Sequence, residues 1–185
     1  SHMPILNAAL HEVLDAGLAI SQAREILVQL YAYAGFPRSL NALGELMKLA
    51  EDRRQRGIHD APGPEPTRAV PAGDELAAMG RANQTRISGG PVMDFAPVIN
   101  QFLQSHLFGA IFERDNLDWQ SRELATVGAL AATPGVEAQL RSHMSASMRV
   151  GLTAPQLHQV AEVLAERGVE QAAERASAAL AQAVA

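Results

Sequence analysis

Cysteine is absent from the 185 residues, which excludes disulfides, thiolate metal sites and any thiol-based peroxidase or redox cycle within this chain. No apolar run approaches the roughly 18 residues that a membrane-spanning helix needs. No signal-peptide pattern follows the first residues, so a cytoplasmic location is expected. Clustered basic residues are scarce as well. The formal charge is −5 and the pI is about 5.6, which argue against a nucleic-acid surface. The one dense basic run, Arg53-Arg54-Gln55-Arg56, follows Glu51 and Asp52 and reads as the solvated end of a helix. Alternating apolar–polar strands are missing too. What is present is 48% apolar residues, enough for a real core in a chain of this length.

Helical spacing runs through most of the sequence. It predicts helices over 6–16, 21–34, 39–56, 74–84 and 94–112, the last kinked near Gly109, with a loop over 86–92. The expected fold is all-α in one domain over 4–185. That domain divides into a first helical segment (4–57), a Pro/Gly-rich linker (58–73) and a second helical segment (74–185). Ser1-His2-Met3 reads as a tag remnant. The Ala-rich end, 169–184, is helix-prone but has few large apolar groups to bury.

Leu117 to Gln156 organises the second segment. Asp118 suits an N-cap, and Trp119, Glu123, Val127 and Leu130 then share a face. Thr133-Pro134-Gly135 stops that helix, and a second runs from Val136 to Val150. Gly151 breaks it, and Thr153 with Gln156 has the spacing of a capping box for a third. Two antiparallel helices joined this tightly can bring Glu123 and His143 together.

A partial internal repeat is visible. Leu14-Asp15-Ala16-Gly17-Leu18, with Gln22, mirrors Met148-Arg149-Val150-Gly151-Leu152, with Gln156, and an apolar helix follows each. The copies are unequal: where the second has His143, the first has Ala9.

At Arg122-Glu123-Leu124, Gly135, Leu140-Arg141-Ser142-His143 and Val150-Gly151-Leu152-Thr153 the chain resembles the carboxymuconolactone decarboxylase family. Phe108 to Arg114, ahead of Leu117-Asp118, is similar to that family's lead-in segment. Gln29 to Leu43 resembles its second half, placed here before the first. The resemblance implies an alkylhydroperoxidase D-like helical bundle, a homo-oligomer and a small-molecule substrate. In the peroxidase branch of that superfamily a Cys-x-x-Cys pair precedes the motif histidine, and Gly135 to Ser142 has no such pair. The decarboxylase branch keeps a glutamate and a histidine, which match Glu123 and His143.

Decarboxylating a carboxylated lactone requires no metal or organic cofactor in principle. It needs the carboxylate held and a proton delivered to carbon. Imidazole suits the proton step because its ordinary pKa near 6.5 leaves both forms available around neutrality. His143 is therefore the expected general acid/base, and Glu123 its orienting partner or co-acid. The expected substrate-binding residues are Trp119 as a pocket wall, His106, Tyr33, and Arg114 or Arg141 as the cation, with Arg38 and Arg122 also admissible. The expected activity is a cofactor-independent lyase or isomerase on a small carboxylated lactone or unsaturated acid. The alternatives are a non-catalytic oligomeric scaffold or small-ligand binding protein, and a specialised biosynthetic lyase, hydrolase or cyclase on the same fold.

Overall fold

A computed structural model describes residues 3–185; Ser1 and His2, which the sequence reads as part of a tag remnant, lie outside the described residues. The fold is all-α, with no strand among the described residues. By contact the chain divides into two compact units, 1–67 with 115–117 and 68–114 with 118–185. The division falls inside the Pro/Gly-rich stretch that composition marks.

The first unit holds α1 (Met3–Asp15), α2 (Ile20–Gln29), the single turn α3 (Tyr31–Ala34) and α4 (Phe36–Gln55). The helix expected over 21–34 is thus interrupted at Leu30, whose ψ of −12° ends one helix and starts the next. Leu10, Leu14, Ala23, Leu27, Ala42, Leu46 and Leu49 form the core of this unit. Buried Arg53 closes it from the end of α4, gripping Asp60 through Nε (2.8 Å) and Nη2 (2.7 Å) and reaching Asp15 at 2.9 Å. The short return at 115–117 is tied in where Asn116 Nδ2 donates to Glu25 at 3.2 Å.

The second unit comprises α5 (Gly73–Ser88), α6 (Pro97–Phe102), a π-helix (Leu103–Ile111), α7 (Trp119–Ala131), α8 (Glu137–Arg149), α9 (Ala154–Glu166) and α10 (Glu170–Val184). Two expectations change here. Helix α5 runs on to Ser88, because the first residue able to stop it is Gly89 in the left-handed conformation (φ +89°). The helix expected over 94–112 begins at Pro97 and widens to π register after Phe102. Wide π turns are uncommon at this length and need tertiary support. Helix α5 supplies it: Asn83 donates to Phe108 O at 2.8 Å, and Gln104 donates to buried Gln84 at 2.8 Å. The two elements touch backbone to backbone at Gly80, where a Cβ would fall 1.7 Å from the Gln104 carbonyl oxygen.

Within each unit the repeat extends further than the sequence predicts. Helices α2 and α4 begin at Ile20 and Phe36, and α9 and α10 begin at Ala154 and Glu170, at one constant offset that also separates the ends of α1 and α8 at Asp15 and Arg149. Each ends in the same turn: Leu18 N–H bonds Val13 O and Leu152 N–H bonds Ser147 O, around glycines with φ of +94° and +107°. The Gln side chain then accepts from the backbone in both copies, Gln22 from Ala19 N–H (3.1 Å) and Gln156 from Thr153 N–H (2.9 Å). Core positions correspond as well: Leu10, Ala23, Leu27, Ala42 and Leu46 answer Met144, Leu157, Ala161, Ala176 and Leu180, all buried. Helix α10 buries its face chiefly with alanines, and it is the closeness these permit that seats so small-sided a helix against α8 and α9.

Candidate active site

Helices α7 and α8 carry the site, and local chemistry sets where each begins. Asp118 Oδ1 accepts from Ser121 N–H at 2.7 Å, which caps α7 so that the helix starts at Trp119. At the start of α8, Glu137 accepts from Gly135 N–H (3.1 Å) and from its own amide, and these bonds hold its carboxyl below the usual carboxylate range. The tight turn between the helices leaves α7 and α8 in contact. On α7, Glu123 and Val127 are wholly buried and Leu130 nearly so.

The result is a direct pair. His143 Nδ1–H donates to Glu123 Oε2 at 2.8 Å, from a side chain that is 17% exposed to one that is 0% exposed. With Nδ1 held by the carboxylate, Nε2 becomes the ring nitrogen suited to exchanging a proton with a bound molecule. Glu123 Oε1 is also buried, yet it has no hydrogen-bond partner among the described residues. A buried carboxylate oxygen without a donor is costly, so it marks a place where a ligand or a proton is expected.

The surrounding wall is aromatic and cationic. Trp119 is half-buried, its indole N–H donates to Phe112 O at 3.1 Å, and its ring packs on Phe112 with centroids 6.1 Å apart. Arg122, wholly buried, donates to Arg114 O at 2.8 Å and lies over the Phe112 ring at 5.8 Å. Ser147, one turn after His143 on α8, is wholly buried and its hydroxyl has no partner among the described residues.

The other expected binding residues are dispersed. Arg114 is half-buried and reaches this wall through its backbone carbonyl. Arg141 and His106 are exposed, on α8 and on the π-helix. Tyr33 is half-buried in α3, and it and exposed Arg38 belong to the first unit, whereas Glu123 and His143 belong to the second. Arg86, near the end of α5, was not among the expected residues, because 86–92 reads as a loop. Its guanidinium lies 4.8 Å from the centroid of Trp119. Nothing in the sequence links two residues so far apart along the chain. Among the described residues no three His, Asp or Glu side chains gather as metal ligands, and no helix is long and apolar enough to cross a membrane.

The carboxymuconolactone decarboxylase family model matches residues 97–185, from the start of α6 to the end of α10. The segment 29–43, which resembles the family's second half, lies outside that match. No curated protein matches the chain. Residues 97–185 are thus a carboxymuconolactone decarboxylase family segment without cysteine, and the all-α fold around them is consistent with the alkylhydroperoxidase D-like architecture.

Proposed function

We propose that the protein is a cofactor-independent lyase or isomerase that uses Glu123 and His143 to move a proton on a small carboxylated lactone or related unsaturated acid. The observation that carries this reading is the 2.8 Å bond between a partly exposed imidazole and a wholly buried carboxylate whose other oxygen has no donor. An acid sequestered behind the ring fixes the tautomer and balances positive charge on it.

In the decarboxylating direction, the bond between ring carbon and carboxylate breaks and carbon dioxide leaves. The electron pair enters the adjacent unsaturated system, and His143 Nε2 delivers a proton to carbon. The proton returns to the imidazole from solvent. An isomerisation uses the same pair without loss of carbon dioxide: His143 takes a proton from one carbon and returns it to another, and Glu123 stabilises the imidazolium between the two steps.

His143→Ala should abolish turnover of such a lactone while circular dichroism retains the helical signature. Undiminished turnover in that variant would end the proposal. We place the enzyme in the cytoplasm as a homo-oligomer. The assembly is supported by Val92, Met93, Phe95, Val98, Ile99 and Phe102, six apolar side chains within a short stretch that are all exposed, Phe95 at 97%.

A further inference from the structure

Two guanidinium groups meet the C-terminal end of α5. Arg86 projects from its last turn onto the face of Trp119, 4.8 Å from the ring centroid. Arg149, in the last turn of α8, donates from Nη1 to Ile87 O at 3.2 Å. It also lies beside the capping glycine, 3.7 Å from where a Gly89 Cβ would sit. Neither makes an ion pair with an acid among the described residues. The closest acid in the sequence to Trp119, Asp118, has both oxygens turned to Ser121.

The negative end of the α5 dipole explains how one cation is held there. It does not neutralise two. The contact with the indole uses none of the N–H groups of Arg86 in a hydrogen bond among the described residues, so they stay available to a planar, two-oxygen acceptor. Arg149 spends one N–H on Ile87 O and keeps the others. Trp119 itself is fixed by its bond to Phe112 O and stands one helical turn, about 6 Å, before Glu123 on α7.

We propose that Arg86 and Arg149, with Trp119 as a rigid platform, form the carboxylate-binding subsite of the Glu123–His143 site. The inference rests on the lyase reading and deepens it. A small ring acid anchored here by its carboxylate spans the one turn to the proton-transferring pair. Helix α5 lies outside the family match, so this chain's choice of substrate is set partly by an element the family segment lacks. The cations suggested by sequence, Arg114 and Arg141, are then not the anchors.

The chain has a single tryptophan, so Trp119 emission reports the subsite directly. The probe is 2-furoate, a flat ring monocarboxylate, with 2-furamide as its neutral counterpart, and titration calorimetry reads the same binding without the fluorophore. Wild-type protein should show saturable binding of 2-furoate and bind 2-furamide at least about tenfold more weakly. Arg86→Gln and Arg149→Gln should each weaken 2-furoate by about tenfold, and Arg86→Lys should fail to restore it, since the planar fork is lost. The subsite is refuted by absent saturable binding, by equal binding of acid and amide, or by glutamine variants that bind like wild type. Should the protein bind 2-furoate through both arginines but turn over no lactone, the lyase reading fails and the subsite stands. Turnover indifferent to both glutamine variants would remove the subsite alone.

Discussion

His143→Ala does more than remove a proton carrier. The imidazole supplies the hydrogen bond that Glu123 Oε2 receives, and Oε1 has none among the described residues, so truncation leaves a wholly buried carboxylate with no donor on either oxygen. Removing one partner of a buried pair costs about 3–5 kcal/mol. Here the histidine edge is 17% exposed and water can enter the vacated space, which brings the expected loss down to about 2–3 kcal/mol. Glu123→Gln keeps the shape and removes the charge, so alone it should cost about 1–2 kcal/mol, the worth of one charge-assisted bond. The combination is the informative species. With no carboxylate left to strand, Glu123→Gln/His143→Ala should be more stable than His143→Ala by about 1 kcal/mol or more, a rescue by a second substitution. Urea denaturation followed by circular dichroism measures all four proteins under one protocol. Strictly additive losses would show that Glu123 is not a sequestered carboxylate, and the geometry on which the proposed chemistry rests would fall with it. The same set keeps activity data interpretable, because the double variant should recover stability without recovering turnover.

Two helical glycines should respond in opposite directions to alanine. Gly80→Ala sets a methyl 1.7 Å from a backbone oxygen of Gln104, which no side-chain rotation relieves, and should cost about 3 kcal/mol; Gly44→Ala, with nothing within 4 Å, should gain about 0.5–1 kcal/mol in the same urea assay. Equal responses would refute the close α5 contact. Arg53 holds the Asp60 carboxyl below the usual carboxylate range, chiefly by its hydrogen bonds. Since the folded pKa is depressed, the stability this confers is complete above the unfolded value of about 3.9 and is lost as pH falls through the folded one. Asp60→Asn should therefore flatten the acid limb of the stability curve below about pH 4, and an unchanged acid limb would count against the ion pair. Phe95→Asp with Phe102→Asp should raise the monomer fraction in light scattering, and an unaltered mass would move the assembly surface elsewhere.

The α-only architecture, the cap at Asp118, the capping box at Thr153 and Gln156, and the Glu123–His143 pairing were legible in the sequence. All of them depend on neighbours a few positions apart or on one tight turn. So was the start of the repeat, through its glycine and the glutamine that follows. Its full extent was not: Leu27 and Ala161 differ in size while occupying corresponding turns of their helices. The π register after Phe102 also escaped, because no residue type demands it and the bonds from Asn83 and Gln84 that hold it come from another helix. Burial escaped for the same reason. Sequence presents Arg114, Arg141, Arg38 and Arg122 as equivalent cations, whereas packing encloses Arg122 and brings Arg86, which sequence did not single out, onto Trp119. Local pattern determined which helices form and which two side chains meet across one turn, since those are short-range properties of a chain. The charges that remain open to a ligand were decided only by tertiary packing, since solvent exclusion at any one residue is imposed by segments remote from it.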